Sequence, residues 1–183
     1  LSQIIFLVLY FYPIFFGHMS INNKDTIISF CHVWIIYLLF KYLKNQNEDI
    51  VGLAIHPTKM ENHTNKGFTS KIIDILDLSE DKIYQGEDIQ NGKYLDEIRK
   101  SKPDIILCIF WGYILKPIFY KIATQGCINI HLGYLPYNRG KNPNVWAIID
   151  ETPAGVTLHY IDENIDTGAI IAQTEIRVSS VDT

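Results

Sequence analysis

The chain has 183 residues, 48% hydrophobic and 20% charged, which is enough apolar material for the core of one ordinary globular domain. A formal net charge of -4 supplies no basic field of the kind nucleic-acid binding relies on, and this counts against a tRNA substrate. The three cysteines, Cys31, Cys108 and Cys127, are odd in number, far apart and set in apolar runs; they argue against a disulfide framework or a zinc site and suit a cytoplasmic protein with reduced thiols.

Leu1 to Phe16 is uncharged and almost wholly apolar, but it holds a proline and falls short of the roughly 18 to 20 residues that a bilayer span needs. It lacks the basic start and the small-residue cleavage site of a secretory signal. Met19 follows with a polar run, so the domain is expected to begin there, with residues 1–18 as upstream sequence outside it. A membrane-associating helix over residues 1–16 is the alternative, and no membrane partner is expected otherwise.

From Thr26 the pattern becomes α/β. Thr26 to Cys31 reads as a buried strand, His32 to Asn45 as a helix with Trp34, Leu38, Leu39, Tyr42 and Leu43 inward, and Ile50 to His56 as a second strand. No Gly-x-Gly-x-x-Gly follows the first strand, so dinucleotide binding of the common kind is not supported. His32 and His56 sit at strand ends, where capping or packing competes with lining a pocket. Pro57 to Lys71 is a polar connection, Thr69 to Leu76 a short helix, Ile83 to Ile89 an irregular strand and turn, and Gly92 to Lys100 a polar helix. Pro103 to Phe110 is the clearest central strand, apolar on both faces as a strand covered by helices should be. Trp111 to Pro117 then loops out at its carboxyl end, where open α/β sheets bind ligands, although Trp111 and Tyr113 read equally well as core packing. Ile118 to Ala123 reads as a helix and Ile170 to Val178 as an edge-like strand.

The residues with chemical potential concentrate between Gly126 and Gly168. In Cys127-Ile128-Asn129-Ile130-His131 a strand would put Asn129 and His131 on one face and the two isoleucines on the other. Leu135 to Pro143 holds two prolines, two asparagines and a glycine, a composition that makes a shaped loop able to wall a pocket. A turn at Thr152-Pro153-Ala154-Gly155 leads to a second strand, Val156 to Ile161, and then to the acidic turn Asp162 to Gly168, which returns carboxylates toward the same place.

Asn129-x-His131, then Leu135-Pro136, Arg139-Gly140, Pro143 and Trp146, then Gly155-Val156-Thr157-Leu158-His159 and Ile165-Asp166-Thr167-Gly168, together resemble the formyltransferases that use 10-formyltetrahydrofolate. The loop Pro136-Tyr137-Asn138-Arg139-Gly140 with Pro143-Asn144-Val145-Trp146 is most similar to the branch that formylates amino sugars carried on nucleotides. The resemblance implies a single Rossmann-like α/β catalytic domain over residues 19–183, with a mostly parallel sheet flanked by helices. It implies further chain after Val181-Asp182-Thr183, a homodimer as a further expectation, no metal, and a catalytic trio on Asn129, His131 and Asp166. It also implies a folate slot formed by Phe110, Trp111, Gly112, Tyr113, Ile114 and Leu115 with Gly133, Tyr134, Leu135, Pro136 and Asp162. Tyr137, Asn138, Arg139, Lys141, Asn142, Pro143 and Trp146 are then expected to meet the acceptor. Where the family often has Ser-Leu-Leu-Pro, this chain has Gly133-Tyr134-Leu135-Pro136, which removes a hydroxyl and frees the backbone to approach a ligand.

The implied chemistry is attack of a neutral amine on the formyl carbon, through a tetrahedral intermediate. Asn129 and, if protonated, His131 would donate to the oxyanion, and Asp166 would accept the amine's proton. Arg139 and Lys141 suit a phosphate or carboxylate but read equally as exposed loop charges. A methionyl-tRNA formyltransferase, a catalytically silent folate-binding module and a membrane-attached interaction protein are the competing readings.

Overall fold

The computed structural model describes residues 4–9, 38–55, 72–86, 88–109 and 111–176. Seven strands form one sheet: β1 Ile4–Leu9, β2 Asp49–Ile55, β3 Ile83–Gln85, β4 Ile105–Ile109, β5 Gly126–His131, β6 Ala154–Tyr160 and β7 Ile170–Ile176. Their order is β3-β2-β1-β4-β5-β6-β7. Pairings from β3 to β5 are parallel, and β5–β6 and β6–β7 are antiparallel, so the sheet is mostly parallel with an antiparallel flank.

β1 corrects the boundary expected at Met19. Ile4–Leu9 lies in the middle of the sheet, paired in parallel with both β2 and β4, and so belongs to the domain. A strand buried between two parallel neighbours is a continuous apolar run without alternation, and periodicity alone does not separate such a run from other apolar segments. The strand expected at residues 26–31, His32, Trp34 and His56 lie outside the described residues.

The helices are α1, described from residue 38 to 45, α2 at residues 72–76, α3 Gly92–Ser101, α4 Pro117–Tyr120 and α5 Pro143–Ile149. α1 turns Phe40 fully into the core with Leu39 and Leu43 beside it, while Leu38 and Tyr42, expected inward, are exposed. The apolar stripe is therefore rotated about one residue from the expected phase, because the run carries more apolar residues than one helix face can bury.

Two apolar clusters cover opposite faces of the sheet. Phe40, Ile50, Leu53, Ile55, Ile72, Leu76 and Ile109 form one with α1 and α2; Ile98, Ile106, Cys108, Phe119, Ala123 and Cys127 belong to the other with α3 and α4. Cys108 and Cys127 are buried and unbridged, their sulfurs 3.6 Å apart, and desolvation raises the Cys108 thiol well above its ordinary pKa. Among the described residues no helix is long and apolar enough to cross a membrane.

Candidate active site

Strand alternation carries the α3/α4 face of β5 from buried Cys127 through Asn129 to His131 at the strand's carboxyl end. Antiparallel pairing sets His159 opposite Asn129 and Thr157 opposite His131, so the four polar side chains share one patch of sheet. Asp166 reaches this patch from the loop after β6, in a left-handed conformation (φ 50°). Its Oδ2 lies 3.4 Å from His131 Nδ1 and accepts from the Gly140 amide at 2.8 Å. Its Oδ1 lies 3.4 Å from His159 Nε2 and 3.5 Å from the Asn129 amide nitrogen. The expected trio is thus assembled, although 35 residues separate His131 from Asp166 in the chain.

His159 was not singled out by sequence reasoning and is the buried centre of the arrangement, 1% exposed, with its ring 6.2 Å from that of His131 and nearly perpendicular to it. Its signal was a second polar residue, two after Thr157, on the inward face of the strand.

The electrostatics follow from burial and partners. Desolvation lowers the pKa of His131 below that of an ordinary imidazole, with the Asp166 carboxylate and the Asn138 carbonyl opposing it only in part. Desolvation acts the same way on His159, but Asp166 and the Tyr160 carbonyl outweigh it and raise the pKa. For Asp166 desolvation acts upward, and hydrogen bonds from His159 and the Gly140 amide, with the nearby imidazoles, bring the net shift downward. Asp166 is the ionised centre of the group.

The loop after β5 is fastened from behind. Thr157 Oγ1 donates to the Gly133 carbonyl at 2.6 Å and accepts from the Leu135 amide at 3.1 Å; Gln173 on β7 donates to the Leu135 carbonyl at 2.6 Å and to Thr157 Oγ1 at 3.0 Å. Gly133 is required by contact: a Cβ there would lie 2.7 Å from His131 Nε2 and 2.8 Å from Pro143 Cβ. The hydroxyl-bearing residue of the resembling pattern would collide with the histidine here.

The other expected site residues fall into three groups. Leu115 and Leu135 are buried, and both backbone groups of Leu135 are already held by Thr157 and Gln173; Trp111 packs over Gly86, within reach of Tyr113 at a ring separation of 5.4 Å; Gly112, Tyr113, Ile114 and Pro136 are exposed, and Tyr134 covers Gly155. Phe110 lies outside the described residues. Gln90 pins the first loop, donating to the Ile114 carbonyl at 3.1 Å and accepting from the Lys116 amide at 2.6 Å. Asp162 turns inward instead, accepting from the Asn164 amide at 3.0 Å and the Thr167 hydroxyl at 2.6 Å, so its carboxylate organises the loop that carries Asp166. On the acceptor side the Asn138 carbonyl faces His131 Nε2 at 3.2 Å and its amide donates to Thr152 Oγ1, while Pro143 is buried under Gly133. Tyr137, Arg139, Lys141, Asn142 and Trp146 are exposed.

A family model described as formyl transferase matches residues 37–183. The chain belongs to the formyl transferase family. Among curated relatives of the family, a methionyl-tRNA formyltransferase from Clostridioides difficile is 33% identical over 135 residues, 73% of this chain and 44% of that protein. The chain thus spans less than half the length of this relative. Among solved structures, a sugar N-formyltransferase from Shewanella superposes with a TM-score of 0.61 at 20% identity, covering 97% of this chain and 58% of that one. The formyltransferase PseJ from Anoxybacillus kamchatkensis, solved with UDP-4,6-dideoxy-4-formamido-L-AltNAc and tetrahydrofolate, superposes with a TM-score of 0.53 at 22% identity over 96% of this chain and 61% of that one. These superpositions establish the Rossmann-like formyltransferase fold.

Proposed function

We propose that the protein transfers a formyl group from 10-formyltetrahydrofolate to the amine of a nucleotide-linked amino sugar. The observation that carries formyl transfer is the convergence of Asn129, His131 and Asp166 on one sheet face at the carboxyl end of β5. Two backbone loops flank that point at neighbouring strand ends, 111–115 after β4 and 133–136 after β5, and both are immobilised by side chains behind them. Exposed Tyr113 and Ile114 beside these loops suit the face of a flat pterin. When bound, the folate supplies the formyl carbon.

The chain's own residues then act on the reacting atoms. The Asn129 amide and a His131 ring N–H are donors for the carbonyl oxygen as it gains negative charge; with His131 held neutral by burial, its contribution is a hydrogen bond and not a cation. Asp166, kept ionised, takes the amine's proton directly or through water. Asn129→Ala and Asp166→Ala are expected to fold and to lose about 10²-fold or more in turnover. Near wild-type turnover in either folded variant removes this mechanism.

Exposed Arg139 and Lys141 flank Gly140, whose amide holds Asp166, so a cation stands on either side of the residue that anchors the catalytic carboxylate. That spacing suits the diphosphate of a sugar nucleotide, and the UDP-sugar in the Anoxybacillus structure is a ligand of that chemistry. The second reading, transfer to methionyl-tRNA, rests on the names of the sequence relatives, among which methionyl-tRNA formyltransferases predominate. The two separate by salt: binding across several phosphates weakens steeply, with a slope near -0.9 per phosphate on a duplex. Formylation of the sugar nucleotide with a shallow salt dependence, and none of charged initiator tRNA, is expected; efficient, steeply salt-sensitive formylation of the tRNA reverses the assignment.

A further inference from the structure

Gln90 and Leu115 form an arrangement that the catalytic trio does not use. Gln90 Nε2 donates to the Ile114 carbonyl at 3.1 Å and its Oε1 accepts from the Lys116 amide at 2.6 Å, so one side-chain amide holds the backbone on both sides of Leu115. The peptide groups joining Leu115 to its neighbours are trans and planar, and in such a group the N–H and the C=O point in opposite directions. The Leu115 N–H therefore points opposite to the Ile114 carbonyl, and the Leu115 C=O opposite to the Lys116 N–H. Both are turned away from Gln90. Leu115 is 6% exposed, and among the described residues neither its N–H nor its C=O has a partner. A buried donor and acceptor left unpaired side by side are rare in folded proteins, and a bound ligand satisfies both at once.

The second loop offers no such pair. The Leu135 N–H and C=O are taken by Thr157 and Gln173, the Tyr134 carbonyl accepts from the Tyr137 amide at 3.0 Å, and Pro136 has no N–H. Gln90 is itself well held. Ile89 beside it is fully buried, and the turn before α3 is closed by the Asp88 amide on Gln85 O at 3.0 Å and the Asn91 amide on Asp88 O at 2.8 Å. In the same turn Gly86 takes the Trp111 ring so closely that a Cβ there would start 2.5 Å from it. The turn between β3 and α3 thus grips the loop after β4 at both of its ends.

We propose that Gln90 is a positioning residue for the formyl donor: by holding Ile114 and Lys116 from behind, it presents the Leu115 N–H and C=O as a donor and acceptor pair for one edge of the pterin. This rests on the function proposed above. A pterin edge carries N–H donors beside ring-nitrogen or carbonyl acceptors, which matches what Leu115 offers. Gln90 touches no reacting atom. Without its amide both peptide groups are free to rotate, and the pair must be ordered at the moment of binding. The loss falls on the formyl donor, because Asp166 and the loop after β5 are anchored by other residues.

The test uses the full chain, with Gln90→Met, which keeps the length and loses both bonds, and Gln90→Asn, whose amide is one carbon too short to bridge them. Tetrahydrofolate binding is measured by calorimetry, without turnover; both variants should weaken it, Q90M by about 10-fold or more. In turnover the KM for 10-formyltetrahydrofolate should rise by a similar factor while that for a UDP-linked amino sugar stays within about twofold, a split that a general loss of structure does not give. Amide exchange followed by NMR in the wild-type protein should show the Lys116 N–H protected with and without tetrahydrofolate. The Leu115 N–H should slow about 10-fold or more only when tetrahydrofolate is added. Unchanged tetrahydrofolate affinity in Q90M overturns the proposal alone, and so does an equal rise in both KM values. If the wild-type protein binds no tetrahydrofolate, the proposed formyl donor fails and the proposal falls with it. If no acceptor is formylated, the binding and exchange measurements still decide. Should neither variant fold, the wild-type exchange decides: a Leu115 amide whose rate tetrahydrofolate leaves unchanged overturns the proposal.

Discussion

Thr157 is fully buried, and replacing it with valine keeps its shape while deleting one oxygen. That oxygen donates to Gly133 O and accepts from Leu135 N and Gln173 Nε2. Gln173 keeps its bond to the Leu135 carbonyl, so Thr157→Val orphans two backbone groups, both on buried residues. Leaving a buried polar group unsatisfied costs about 1–3 kcal/mol, so the pair costs about 2–6 kcal/mol. Against a typical total of about 5–15 kcal/mol the loss is large, and for a weakly stable domain it is most of the margin. Urea unfolding should show the midpoint moving down with the slope unchanged, and Thr157→Ser should recover most of the loss because it restores the hydroxyl. A T157V midpoint within about 0.5 kcal/mol of wild type refutes the idea that this oxygen holds the loop, since surface changes alone produce shifts of that size.

Gly133→Ala tests the contact between that loop and the histidine: the added carbon starts 2.7 Å from His131 Nε2, so the ring must move. Displacement of a catalytic group by about 1 Å can cost about 10²-fold, and a fall in kcat with the unfolding midpoint changed by less than that of T157V is expected. The pH response of stability follows from Asp166 and His131. Because the folded pKa of Asp166 is depressed, its contribution is present above the ordinary carboxylate value near 3.9 and disappears as the pH falls through the depressed value. Because that of His131 is also depressed, stability begins to decline already below about 6.5, where the unfolded imidazole takes a proton that the folded one resists. His159 has the opposite sign: its raised pKa gives a contribution present below about 6.5 and lost as the pH rises through the raised value. Asp166→Asn should remove the part of the decline that begins near the carboxylate value and leave the part that His131 causes below about 6.5, and thermal melts of both proteins from pH 7 to 3 check it.

Much of the site was legible because its signal is local. Alternation along β5 places Asn129 and His131 together whatever the rest of the chain does, and the acidic turn with Asp166 is marked by its own composition. His159 went unassigned because an inward histidine on an apolar strand reads as a satisfied core residue until its partners are known. Asp162 entered the folate slot through the resemblance, and its role in the loop was not legible because an Oδ1 that accepts from an amide two residues on and a hydroxyl five residues on is recognised only once the turn is folded. β1 was misjudged for a different reason: strand length, apolar content and lack of charge are shared by several kinds of segment, and pairing on both sides decides among them only in three dimensions. The rotated face of α1 is a smaller error of the same kind, since five apolar candidates compete for a stripe that takes about three.

The position of β1 has a consequence for how the chain is made. Its partner β2 begins at Asp49, but its other partner β4 begins at Ile105, 96 residues after Leu9. At synthesis rates of about 5–20 residues per second, that interval is about 5–20 s during which the strand is already made and one of its two edges has nothing to pair with. An unpaired apolar edge is a template for other extended chains. This protein should therefore be captured by chaperones that hold extended apolar segments early in translation and released after β4 emerges.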